Sequence, residues 1–123
     1  MNITINIFQT TKEKINPEII KKIIHRYLAD KKTRDIITLD VLITGKDKIR
    51  YLNKKYRKID QATDVLSFPV VSPAHEKLEI YNLGSLVVCP EIVRKNAQIH
   101  QTSVETELEK VIIHSLDHLW NQA

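Results

Sequence analysis

Cysteine is nearly absent: Cys89 stands alone among 123 residues, so no disulfide can form within the chain. Stability must come from a hydrophobic core, and this length is enough to bury about two-thirds of the surface that the unfolded chain exposes. Nothing resembles a signal peptide, and no apolar run reaches the 18 residues that a membrane span needs. A soluble, reducing, cytoplasmic setting with no membrane partner is therefore expected. Repeats, low-complexity tracts and linkers are also missing, which predicts one domain over 1–123. With 42% hydrophobic and 28% charged residues the composition is that of a folded domain and excludes a disordered chain.

Acids are outnumbered, 15 against 19 basic residues, giving a formal charge of +4 and a pI near 9.2. That balance suits an anionic partner. The excess is local: Lys46, Lys48, Arg50, Lys54, Lys55, Arg57 and Lys58 fall in one stretch with a single acid, Asp47, and with Tyr51 and Tyr56 interleaved. Two readings stay open at this point. The stretch is either a solvated helix face or a surface for a phosphate backbone with exposed bases to stack.

Periodicity outlines the elements. Ile3, Ile5 and Ile7 alternate with polar residues as in a strand, and 36–43 alternates likewise before Thr44-Gly45. Asn16-Pro17-Glu18 offers a cap, a proline at the first helical position and an early acid, followed by Ile20, Ile23, Ile24, Tyr27 and Leu28 at helical spacing. Ile49, Leu52, Asn53 and Tyr56 predict a short helix. Val65–Val71 and Leu83–Cys89 read as strands joined by a loop with Pro73 and His75, and Pro90-Glu91 opens a further helix. Thr102-Ser-Val-Glu105 has the form of a capping box before a last helix whose stripe is Leu108, Val111, Ile112 and Leu119. The fold class expected is α+β, one sheet with helices packed on it. Strand order is not readable from this pattern.

On the last helix His114 and His118 are four residues apart, so both imidazoles lie on one flank of the apolar stripe, where they can grip one divalent ion. A catalytic zinc site takes three protein ligands, and no third histidine follows. His25, His75 and His100 lack ligand spacing and are read as surface residues, and Cys89 as a small buried side chain. Asp64 is read as bonding a turn amide and Ser67 as alternating outward, with a role in a cleft kept open for both, and Leu66 and Phe68 are core candidates.

Four segments occur in one order: Asn53-Lys-Lys-Tyr56-Arg57, Thr63-Asp64-Val65-Leu66-Ser67-Phe68-Pro69, Leu83-Gly84-Ser85-Leu86 with Cys89-Pro90-Glu91, and His114-x-x-x-His118. Together they resemble the YbeY family of endoribonucleases over essentially the whole chain. The resemblance implies a mixed four-stranded sheet among helices and a metal-dependent RNase directed at single strands. It further implies action in maturation of the small-subunit ribosomal RNA near its 3′ end and in ribosome quality control, with single-stranded RNA and the small subunit as partners and DNA not among them.

The family binds zinc through His-Gly-x-Leu-His-Leu-x-Gly-x-Asp-His. His114 and His118 match its first two histidines, and the third would fall one residue beyond Ala123, so the tail is expected to be short or truncated. Ser115 stands where the family has glycine, Asp117 where it has leucine and Ser85 where it commonly has aspartate. The terminal carboxylate of Ala123 is the first candidate for a replacement ligand, whereas Asp117 points away from the shared flank of the histidines and is read as an outer-shell or solvent residue. Arg57 matches the family arginine thought to serve RNA binding or catalysis, beside Lys54, Lys55 and Lys58 as RNA-binding candidates. Loss of one ligand leaves a second function in view, an RNA- or ribosome-binding assembly factor without metal chemistry. A third, by analogy to the protease motif His-x-x-Glu-His, is set aside because Asp117 is a methylene shorter and no room follows for a downstream acidic ligand.

Overall fold

The computed structural model describes residues 2–13, 15–31, 36–70 and 80–121. The expected loop with Pro73 and His75, the end of the third predicted strand at Val71, and the carboxylate of Ala123 lie outside them. Element order is β1 (Ile3–Gln9), α1 (Pro17–Ala29), β2 (Ile36–Ile43), α2 (Lys46–Arg57), β3 (Val65–Pro69), β4 (Ile80–Val88), α3 (Pro90–Ile99) and α4 (Val104–Asn121). The sheet runs β1-β2-β4-β3, with β1 and β4 parallel to β2 and β3 antiparallel to β4. Among the described residues the architecture is thus one mixed four-stranded sheet with four helices, as expected for α+β.

Alternation along the strands builds two unequal layers. Leu39, Val41 and Ile43 of β2 with Leu86 and Val88 of β4 face α1, α3 and α4, and the main core forms there with Ile20, Ile24, Leu28, Val93, Ile112 and Leu116. Leu42, Leu66, Phe68 and Val87 face the other way, toward Ile49 and Leu52 of α2. A single short helix cannot cover that second face. Phe8 of edge strand β1 stays 60% exposed on it.

Helix ends follow local chemistry. Asn16 Oδ1 accepts from the Glu18 amide at 3.0 Å, and Pro17 and Pro90 occupy first-turn positions. The last helix corrects the expected capping box: Ser103, not Thr102, is the cap, its Oγ accepting from the Thr106 amide at 3.0 Å. Ser103 also precedes the first apolar turn by one residue, which fits the cap position better than Thr102 does. At the other end of α2, Lys58 takes a left-handed conformation (φ 63°), and the Ile59 amide bonds back to the Asn53 carbonyl at 3.3 Å. Buried Asn53 donates from Nδ2 to the Gln61 carbonyl at 2.9 Å, fixing the turn that leads into β3.

Gly84 is the one position where a side chain is sterically excluded. Its φ is +118°, and a Cβ there would lie 2.1 Å from the Phe68 carbonyl oxygen. A register shift between Thr38 and Leu39 of the neighbouring strand accompanies it, so the Leu83-Gly84-Ser85 segment is an irregularity that lets β3 press close against β4.

Candidate active site

β3 is an edge strand, and its alternation aims Ser67 at α4. Ser67 Oγ lies 2.9 Å from His118 Nδ1. In the tautomer in which Nδ1–H donates to that hydroxyl, Nε2 of His118 keeps its lone pair, the arrangement by which an outer hydrogen bond orients a metal-binding imidazole. Arg57, at the last position of α2, donates from Nη2 to the Ser67 carbonyl oxygen at 2.5 Å, and its guanidinium carbon sits 5.6 Å from the Phe68 ring centroid. Ser67 therefore links the arginine on one side of the strand to the histidine on the other.

A cleft of about 320 Å³ collects the result, lined by Arg57, Asp64, Ser67, His114, Ser115 and His118 among others. Arg57, His114 and His118 come from the end of α2 and from two successive turns of α4, and all three are exposed to solvent. Ser115, at the family's glycine position, is buried, and its hydroxyl donates back to the Val111 carbonyl at 2.9 Å. Asp64 serves the turn before β3, its Oδ1 accepting from the Val65 amide at 2.8 Å.

Other residues singled out in the sequence resolve one by one, Asp117 and Cys89 as expected. The Asp117 carboxylate accepts from the Tyr27 hydroxyl of α1 and does not line the cleft, so it is no replacement ligand for the histidines. That bond and burial together push the Tyr27 hydroxyl pKa well above its ordinary value. His100 is more than a surface residue: its Nδ1 meets the carboxylate of buried Glu107, which is thereby held below the usual carboxylate range. Cys89 is fully buried, and burial raises its thiol pKa. Leu66 is buried as expected, and Phe68 is partly buried at the margin of the second cluster, against which it packs.

The basic stretch is exposed but not uniformly free. Arg50 and Lys54 share Asp60, at 2.8 and 3.9 Å, and Lys46 pairs with Glu91 at 3.6 Å. Lys48 and Lys55 lie over the Tyr51 ring, and Lys55 also over Tyr56. Lys55, Arg57 and Lys58 carry the charge nearest the cleft end of α2. Ser67 corrects the outward reading: it lies opposite Leu66 and Phe68, on the α4 side of the sheet where the main core forms, and so meets His118 at the rim of that core.

The sequence model of the family described as Endoribonuclease YbeY matches residues 4–121. The chain belongs to the YbeY family. Among curated relatives it is 34% identical to Endoribonuclease YbeY of Thermotoga neapolitana, over 92% of this chain and 63% of that protein. Against the YbeY of Caldanaerobacter subterraneus identity is 31%, over 97% of this chain and 82% of the relative. The solution structure of TM1509 from Thermotoga maritima superposes with a TM-score of 0.63 at 28% identity, covering 94% of this chain and 71% of that one. The chain spans 63% of the length of the Thermotoga neapolitana YbeY.

Two imidazoles on one wall, one of them oriented through Nδ1, fit a divalent ion that accepts nitrogen ligands, zinc among them. They fit as part of its shell. Among the described residues no group of three His, Cys, Asp or Glu side chains converges. No described helix is long and apolar enough to cross a membrane.

Proposed function

We propose that the protein is an endoribonuclease that cuts single-stranded RNA at the cleft between β3 and α4, using one divalent ion, zinc by the chemistry of the ligands, held by His114 and His118. Its substrate in this reading is small-subunit ribosomal RNA near the 3′ end, met in the cytoplasm during ribosome maturation and quality control. One observation carries the proposal: Arg57, His114 and His118, far apart in sequence, line a single open cleft. Family membership and the exposed cations of α2 support it.

His114 and His118 would hold the divalent ion, which would supply an acidified water and Lewis-acid polarisation of a phosphoryl oxygen. The rest falls to the chain. Arg57 keeps donors beyond the one engaged by Ser67, and its planar fork matches a phosphate, stabilising charge that builds on the nonbridging oxygens. Ser67 fixes the His118 ring. Lys55 and Lys58, with Lys54 partly neutralised by Asp60, attract the flanking phosphates.

The exposed cations of α2, which need no metal to hold RNA, favour a second reading, an RNA- or ribosome-binding assembly factor. One assay separates the two. Cleavage of single-stranded RNA by the purified chain with added zinc is expected to fall about 10²-fold in Arg57→Glu and to stop with chelator. Zinc binding, read separately by competition with a chromophoric chelator, is expected to weaken in His114→Ala. RNA binding without cleavage at saturating zinc refutes the nuclease reading in favour of the assembly factor.

A further inference from the structure

On the second face of the sheet, beside α2, lies a groove of about 400 Å³ that the cleft chemistry does not use. Phe8 and Tyr56, 60% and 55% exposed, stand on its walls with Leu52 and Phe68, and Asp40 and Ser85 are on its floor as register partners on β2 and β4. Tyr56 and Phe68 meet edge to face at 5.2 Å, with Lys55 over the Tyr56 ring.

This groove adjoins the Arg57 cleft by construction. Tyr56 and Phe68 line the groove, whereas their chain neighbours Arg57 and Ser67 line the cleft. The path from one to the other runs round a single strand, β3. A chain laid across that strand with a phosphate on Arg57 presents its next side group to the aromatic walls. Aromatic faces beside cations are what an unstacked nucleobase binds. The sheet side adds selectivity: Asp40 is an exposed carboxylate, its Oδ1 accepting from Asn6 Nδ2 at 3.0 Å, and a carboxylate has acceptor capacity well beyond one bond. A carboxylate accepts from the exocyclic amino group of cytosine, whereas uracil has a carbonyl in that place.

We propose that the groove is a nucleobase pocket, taking the base that adjoins the phosphate held at Arg57 and preferring cytosine to uracil. The inference rests on the RNA reading of the cleft. A protein partner would also find apolar walls here, but the cations at the rim and the shared strand favour the nucleic acid.

Fluorescence anisotropy with labelled single-stranded octamers of cytidine, of uridine and of abasic ribose phosphate tests it on the full chain. Phe8→Ala, which removes an exposed ring and leaves the core alone, is expected to raise the Kd for oligo(C) about tenfold and to leave the abasic octamer within about twofold. Asp40→Asn is expected to abolish or reverse the preference for oligo(C) over oligo(U). If both variants bind every octamer as the native chain does while Arg57→Glu binds more weakly, the groove is off the RNA path and open to a protein, and the proposal fails with the RNA reading intact. If Arg57→Glu also binds unchanged, or the native chain binds no octamer, the RNA reading itself fails and this inference with it.

Discussion

Ser67 is the residue on which the cleft turns. Its side chain meets His118 and its carbonyl meets Arg57, so one position on an edge strand sets both partners. The sequence placed Arg57, His114 and His118 by motif and helical spacing, because those signals are local. It left Ser67 ambiguous, since which way an alternating residue faces depends on what packs beside the strand. Ser67→Ala removes the hydroxyl and keeps the carbonyl. Zinc affinity is expected to fall about tenfold, the lower end for losing an outer hydrogen bond on a ligand, with the urea midpoint unchanged. Unaltered zinc affinity in a chelator competition would show that the hydroxyl does not orient the ring.

The elements themselves were largely legible. Alternating Ile3, Ile5 and Ile7 gave β1, the stretch 36–43 gave β2, and helical spacing with Pro17 and Pro90 gave α1 and α3. The cap of α4 was misread by one residue because Thr102 and Ser103 are both good caps and only the backbone decides between them. Gly84 was legible as part of a motif but not for its reason, which is contact between strands: the Phe68 carbonyl occupies the place of its Cβ. Gly84→Ala must move β3, which carries Ser67. The variant is expected to lose more than about 1 kcal/mol in urea denaturation, as for alanine forced to positive φ, and to lose RNA cleavage disproportionately. Full stability with full cleavage would mean that β3 adjusts freely and does not fix the cleft.

At the scale of the whole molecule the function depends on the order β1-β2-β4-β3, which alternation could not reveal. That order puts β3 at an edge, between the end of α2 and the flank of α4, and so brings residue 57 to residues 114 and 118. It also leaves Phe8, from the opposite edge, within one groove with Phe68. In the proposed function Arg57 and the histidines act on one phosphate as a unit. Single-turnover cleavage of a single-stranded RNA by Arg57→Ala, His118→Ala and the double variant measures this directly, since groups that act together are strongly non-additive. The double variant is expected to be about as slow as the slower single one. Losses that simply multiply would instead place the arginine and the histidine in separate sites.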